Sequence, residues 1–227
     1  MPKGESIDAT PPGPTLPAGA LPSRTFLMHL LTKIACLGSL LAVSTLAAEP
    51  TIAQPPVKPW ETSVMTVESG ILWEIGTGTP FPYRLLETQI TWKSAEIFSR
   101  VFDDGSRVIL RHRFAFIGAA IQQGPESHYF ALSASPSIEW WNAAGTWSLY
   151  GGAGGGFGLV DAQGIKGGQG QDFTLNWLMR GGIEHVVAKN QRISAGIMYQ
   201  HMSNGGQTKP NPGIDALGFM IGYSWTR

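Results

Sequence analysis

Residues 128–141 read HYFALSASPSIEWW, a stretch in which large apolar residues alternate with small or polar ones. Phe130, Leu132 and Ile138 occupy one set of alternate positions, and Ser133 and Glu139 occupy the other. Successive side chains of a β-strand point to opposite faces, so a period of two places these sets on different faces. The stretch therefore predicts a strand with one apolar face and one polar face.

The same alternation recurs along the chain, where no segment has a convincing helical period. Each alternating segment is long enough for the about 9–11 tilted residues of a membrane strand. The phase slips near Ser94, so a bulge or short surface excursion is expected within 93–107, where Asp104-Gly105 is a good hairpin turn. The eight segments are 63–75, 83–92, 107–121, 128–141, 146–160, 172–187, 191–203 and 213–225.

The two faces of these segments differ sharply in chemistry. One is apolar and aromatic, while the other carries charged residues of both signs. A soluble, lipocalin-like barrel would bury the apolar face, whereas a membrane barrel places it against lipid and pairs the charges inside. We therefore predict an all-β fold, an eight-stranded antiparallel transmembrane β-barrel. The aromatic-rich strand ends and a signal peptide favour it, and a closed barrel leaves no open strand edge in lipid. The charged set comprises Glu68, Glu74, Glu87, Glu139, Glu184, Arg107, Arg111, Arg113 and Arg180.

Overall composition agrees with a protein that contacts an apolar phase. Sixteen basic and sixteen acidic residues balance, which gives no electrostatic case for binding nucleic acid. Charged residues make up only 14%, beside eight Trp and ten Phe. Such a surface is typical of contact with lipid.

The N-terminal part has the pattern of an exported protein. Residues 1–27 are rich in Pro and Gly and predict a disordered extension, or sequence upstream of the true start. Residues 28–48 predict a signal peptide: Lys33 precedes an apolar run that ends at Ala47-Ala48, and this run is shorter than the about 20 residues of a spanning helix. Residues 49–61 predict an extended periplasmic lead-in, and 62–227 the barrel. Cys36 lies in the signal peptide, so no disulfide is expected in the mature chain.

Loop lengths predict the orientation of the barrel. Short turns at 142–145 and 188–190 alternate with longer connections at 122–127, 161–171 and 204–212. Outer-membrane barrels have short periplasmic turns and longer external loops. The longer connections should therefore face outward.

A candidate catalytic cluster lies at one of these longer connections. His201 and Ser203 share the apolar face of the seventh segment, and Asp215 begins the same face of the eighth. A Gly/Pro-rich hairpin loop at 205–213 should bring the three groups together. A base that removes the hydroxyl proton and a carboxylate that orients the base together activate a weakly nucleophilic serine. A single His or Ser at a strand end more often has no catalytic role, so the convergence of all three carries the prediction.

Residues 201–215 read HMSNGGQTKPNPGID and resemble the active-site hairpin of the lipid A 3-O-deacylases, which are outer-membrane acyl hydrolases. The resemblance includes H-x-S-N, a pair of small residues, Pro-Asn and Gly-Ile-acid. It implies an eight-stranded membrane barrel with Ser203 as nucleophile, His201 as base and Asp215 as orienting acid. It also implies that Asn211 helps to hold the oxyanion. We expect the backbone N–H groups of Gly205 and Gly206 to join Asn211 there, with Asn204 as a supporting residue. The chain departs from the family at Asp215, because the family acid is typically Glu.

The sequence thus predicts an outer-membrane serine esterase that removes a 3-O acyl chain from lipid A of lipopolysaccharide, without cofactor or metal. Its partner would be lipopolysaccharide in the outer leaflet of a Gram-negative-type bacterium, with the active site facing that leaflet. Two alternatives stay open: a structural barrel with a degenerate site, and an acyl hydrolase acting on phospholipid. The oligomeric state is also open, with a homodimer among the alternatives.

The glycine run at 151–158 has two explanations. Without a following Lys-Ser/Thr or a helix it does not predict a phosphate loop. Glycines on the inner face would leave room for bulky neighbours in a narrow barrel. Alternatively, they would line a groove for an acyl chain.

Overall fold

The computed structural model describes residues 58–226, and all of its long elements are strands. The predicted extension 1–27, signal peptide 28–48 and most of the lead-in 49–61 lie outside the described residues. Within the described part, no helix is long and apolar enough to span a membrane. The strands are β1 (Val64–Glu74), β2 (Arg84–Lys93), β3 (Phe98–Val101), β4 (Arg107–Gln123), β5 (His128–Trp141), β6 (Trp147–Val160), β7 (Phe173–Ala188), β8 (Gln191–Ser203) and β9 (Ile214–Trp225).

Eight of these strands close into an antiparallel barrel. From β4 to β9 each strand pairs with the next, β9 pairs with β1, and β1 pairs with β2. A β2–β4 pairing closes the ring, with Lys93 opposite Arg113. Every strand of the ring therefore has two hydrogen-bonded neighbours, as a strand in lipid requires. The predicted eight-stranded barrel is confirmed.

The ninth strand, β3, explains the phase slip near Ser94. β2 ends at Lys93, and the chain then leaves the ring before it returns to the free edge of β4. Phe98 lies opposite Leu110 there, and Gly105 has a φ of 80° in the following turn. The excursion expected within 93–107 is thus a short hairpin that prolongs β4.

Apolar residues cover the outside of the barrel and charged residues fill the inside. Phe219 is 68% exposed and Ile138 is 58% exposed, whereas Arg111 is 0% and Glu139 is 1% exposed. A soluble barrel would show the reverse distribution. The alternation thus predicted correctly which face meets lipid.

Ion pairs occupy the interior. Glu68 accepts from Arg113 and Arg180, each at 3.0 Å, while Glu184 contacts Lys93 at 2.5 Å and Arg192 at 3.3 Å. A buried charge is tolerated when it is paired and hydrogen-bonded. The interior is therefore a packed polar core.

The N-terminal segment covers the end of the barrel at the short turns. The Trp60 ring packs edge-on against Trp141, with centroids 5.9 Å apart. The Pro59 carbonyl accepts from Arg192 at 2.8 Å and from Arg111 at 3.5 Å. The long connections, at 75–83, 124–127, 161–172 and 204–213, lie at the opposite end.

Alternate glycines of β6 allow a close approach to β5. A Cβ at Gly154 would lie 2.2 Å from the Ala134 carbonyl oxygen, and one at Gly156 would lie 1.8 Å from that of Leu132. A Cβ at Gly158 would lie 2.7 Å from the Tyr129 ring. Of these three contacts, the one at Gly158 is with a bulky side chain, as the steric explanation expects, and those at Gly154 and Gly156 are with the β5 backbone.

Candidate active site

His201 and Asp215 face each other across β8 and β9. They are paired in register, and the His201 Nδ1 and Asp215 Oδ1 atoms are 2.8 Å apart. Both side chains are on the outward face of the barrel, and each is about a quarter to a third exposed, at 26% and 30%. A carboxylate at this distance fixes the tautomer and the orientation of the imidazole.

Ser203 is the next residue on the same face of β8 and ends that strand. It is half-buried, lies opposite Leu175 of β7, and within residues 58–226 its hydroxyl has no hydrogen-bond partner. Because Asp215 engages Nδ1 of His201, Nε2 is the ring nitrogen left to serve Ser203. Hydrogen bonds between a nucleophile and its base are often long in a protein without substrate. The structure thus joins the predicted base and the predicted acid by a hydrogen bond and places Ser203 at the adjacent outward position of β8.

Asn204 organises the loop that follows Ser203. It is fully buried, and its Nδ2 donates to the carbonyl oxygens of Thr208 and Pro210, both at 3.1 Å. Its Oδ1 accepts from the Gly206 N–H at 2.9 Å. The hairpin loop is therefore held from inside by one amide side chain.

Two of the predicted oxyanion donors are free, and one is engaged. The Gly206 N–H already donates to Asn204. Asn211 Oδ1 accepts from the Asn204 N–H at 2.9 Å, which sets the Asn211 amide beside the peptide that follows Ser203. In the described part of the chain, Asn211 Nδ2 and the Gly205 N–H have no partner. These two donors can bind a developing oxyanion without breaking an existing bond.

Sequence reasoning missed two residues that contact Asp215. The Tyr199 hydroxyl donates to Asp215 Oδ1, the same oxygen that accepts from His201. A Cβ at Gly76 would lie 2.9 Å from Asp215 Oδ2, so the loop after β1 passes directly over the carboxylate. An aromatic residue on a lipid-facing strand is common, and Gly76 is far away in sequence, so the sequence held no clear signal for either.

The aromatic ring of Trp177 packs on the other side of the site. Its centroid lies 4.8 Å from that of Tyr199 and 6.1 Å from that of His201. Trp177 is opposite His201 in register, on the outward face of β7. The catalytic candidates thus have an aromatic wall toward β7.

An apolar groove of about 390 Å³ lies further around the outer face. Gly155 and Ala134 form its floor, and Phe116, Leu132 and Phe157 are among its walls. Gly155 pairs with Trp177, which pairs with His201, so the groove lies on the same row of residues as the candidate base. An acyl chain as its occupant remains a prediction.

A second Ser/His/Asp group, at the loop after β4, has a different arrangement. Asp161 accepts from the backbone N–H groups of Ser127 at 2.8 Å and His128 at 3.0 Å, and the Ser127 hydroxyl also donates to it. This carboxylate joins two loops and accepts directly from the Ser127 hydroxyl, which also lies 2.8 Å from His128 Nδ1. Among residues 58–226, no group of three or more His, Cys, Asp or Glu is arranged to bind a metal ion.

The sequence matches the model of a known protein family. Residues 88–224 match the family model described as Lipid A 3-O-deacylase (PagL), which is more than half of the chain. No protein of curated function matches the sequence.

Two solved structures are similar in fold. The crystal structure of the outer membrane enzyme PagL is 17% identical and covers 70% of this chain and 97% of its own, with a TM-score of 0.48. That of Neisserial surface protein A is 12% identical and covers 73% and 97%, with a TM-score of 0.53. The likeness to Neisserial surface protein A supports the barrel fold alone, and the family model supports membership of the family.

Proposed function

The chain belongs to the lipid A 3-O-deacylase family, and we propose that it is a serine esterase that removes the ester-linked 3-O acyl chain of lipid A. Family membership places it in the outer membrane. The observation that carries the proposal is the hydrogen bond between His201 and Asp215 on the lipid-facing surface. Ser203 is the next outward-facing residue after His201 on β8.

The reaction would begin with attack of Ser203 on the ester carbonyl. As the Oγ–carbon bond forms, His201 Nε2 takes the hydroxyl proton and Asp215 stabilises the resulting imidazolium. The negative charge moves to the former carbonyl oxygen, where Asn211 Nδ2 and the Gly205 N–H would bind it. The tetrahedral intermediate then collapses, the bond to the sugar oxygen breaks, and His201 returns the proton to that oxygen.

Water completes the cycle. His201 takes a proton from a water molecule as that water attacks the acyl-serine, and the proton returns to Ser203 when the acyl–serine bond breaks. The products are a free fatty acid and lipid A with one hydroxyl in place of an ester. Each step uses only side chains of this chain and water.

The position of the site supports lipid A as the substrate class. The candidate residues lie on the apolar outer face, at the end that carries the longer loops, which in outer-membrane barrels is the external end. A substrate anchored in the outer leaflet could reach this surface from the side. The proposed orientation therefore sets Ser203 near the level of the lipid headgroups.

The test is mass spectrometry of lipid A from cells that express the protein. We expect loss of one hydroxyacyl chain with the parent, and no loss with Ser203→Ala. Ser99→Ala is the matched control, because Ser99 lies on β3 at the other end of the barrel. Unchanged lipid A with the parent would contradict the proposal. Purified protein incubated with lipid A, phospholipid and a chromogenic ester then distinguishes a phospholipid hydrolase, active on the second, from a structural barrel, active on none.

A further inference from the structure

We propose that Tyr199 is a positioning residue for the esterase reaction: its hydroxyl holds the Asp215 carboxylate where it can orient His201. This inference rests on the proposed function. Tyr199 lies next to the candidate triad and is not one of its three members.

The geometry places both donors on one oxygen. Tyr199 and His201 are alternate residues on the outward face of β8, and Asp215 lies opposite His201 on β9. The Tyr199 hydroxyl reaches Asp215 diagonally and donates to Oδ1, which also accepts from His201 Nδ1 at 2.8 Å. Gly76 borders the other carboxylate oxygen. The carboxylate is therefore enclosed on three sides.

The tyrosine is itself held in place. Its ring packs against Trp177 with centroids 4.8 Å apart, and its OH points along the sheet toward β9. A rigid aromatic side chain loses little further freedom when it makes a hydrogen bond. Because packing against Trp177 holds the Tyr199 ring, Tyr199 can fix the rotamer of Asp215.

The short acid makes this support important. An aspartate is one methylene shorter than the glutamate typical of the family, and a misplacement of about 1 Å can cost about a hundredfold in rate. A second donor on Oδ1 limits rotation of the carboxylate away from the imidazole. We therefore expect the enzyme to depend on Tyr199 more when the acid is Asp than when it is Glu.

The first experiment is a double-mutant cycle on purified, folded barrel with lipid A as substrate. Tyr199→Phe should lower kcat by about 10- to 100-fold and leave KM within about twofold. In the Asp215→Glu background, Tyr199→Phe should lower kcat by less than about threefold. Tyr223→Phe is the control, because Tyr223 also faces outward but lies at the other end of β9. Equal losses in both backgrounds would overturn the proposal, since a merely structural tyrosine does not distinguish the two acids.

A second readout does not need catalysis. In Ser203→Ala protein labelled with ¹⁵N-histidine, the His201 ring should show its proton on Nδ1, assigned by loss of the signals in His201→Ala. Tyr199→Phe should broaden or shift the Nδ1 proton signal, because the carboxylate becomes mobile. An unchanged signal would overturn the role of Tyr199 even if the parent hydrolysed nothing. Absence of hydrolysis with a shifted signal would reject the proposed function, and would show that Tyr199 holds Asp215 in a site that does not act as an esterase.

Discussion

Replacing Asp215 by Asn tests the proposed orienting acid most directly. The substitution keeps the size of the side chain and removes its charge. An amide that turns its NH₂ toward His201 would also force the ring proton onto Nε2. In that tautomer the imidazole cannot take the Ser203 proton.

The expected loss follows from the contacts. A hydrogen bond to a charged group contributes about 1.5–3 kcal/mol and a neutral one about 1 kcal/mol, so losing the charge costs about 0.5–2 kcal/mol, or about 2- to 30-fold. The wrong tautomer adds to this. A fully buried triad aspartate loses about 10⁴-fold on the same change, but the Asp215 side chain is 30% exposed, where water screens its charge. We therefore expect a loss of about 10²- to 10³-fold in kcat.

The assay is release of hydroxyacyl chains from lipid A by equal amounts of folded protein. Asp103→Asn serves as the control, because Asp103 is an exposed residue of the β3–β4 turn. An Asp215→Asn rate within about threefold of the parent would refute the reasoning. The catalytic unit would then be a Ser/His dyad, with Asp215 a structural partner of Tyr199.

The remaining predictions concern the same site and the barrel core. Ser203→Ala and His201→Ala should each abolish hydrolysis and keep the heat-resistant folded migration on gels; loss of folded migration would show a structural role. Asp215→Glu should retain or raise the rate measured with lipid A, and inactivity would show that the hairpin is built around the shorter acid. Glu68→Ala should destabilise the barrel by about 3–5 kcal/mol in urea unfolding from lipid vesicles, because it removes the carboxylate that is paired with two buried arginines. The control is Glu61, which forms an exposed ion pair with Lys58, and Glu61→Ala should lower the free energy of unfolding by at most about 1 kcal/mol.

Alternation alone predicted most of the barrel. The period of two is set by backbone geometry, and it survives in the sequence because lipid on one side and paired charges on the other select different residues. Strand ends were less certain: the predicted 107–121 segment extends to Gln123, which pairs with Arg84. The β3 hairpin appeared only as a slip in phase, since four residues are too few to show a period.

Register explains how much of the site was predictable. Opposition of His201 and Asp215 follows from two alternating strands joined by one hairpin loop, which are local features. Contacts made by distant parts of the chain could not be predicted from the sequence. Gly76, in the loop after β1, lies beside Asp215 because β1 pairs with β9. Engagement of the Gly206 N–H by Asn204 depends on loop geometry, which a motif does not specify.

The outward position of the site follows from how the barrel is filled. Ion pairs such as Arg111 with Glu139 occupy its interior, and Trp60 covers one end, so the interior offers no room for a lipid ester. A substrate must therefore approach along the outer surface, where Leu175 and Leu217 are exposed near Ser203 and Asp215. An acyl chain can stay in contact with this apolar surface while its ester reaches the polar end of β8. In the proposed enzyme, the membrane itself would hold the substrate's chain, and the protein would supply the polar groups that act on the ester.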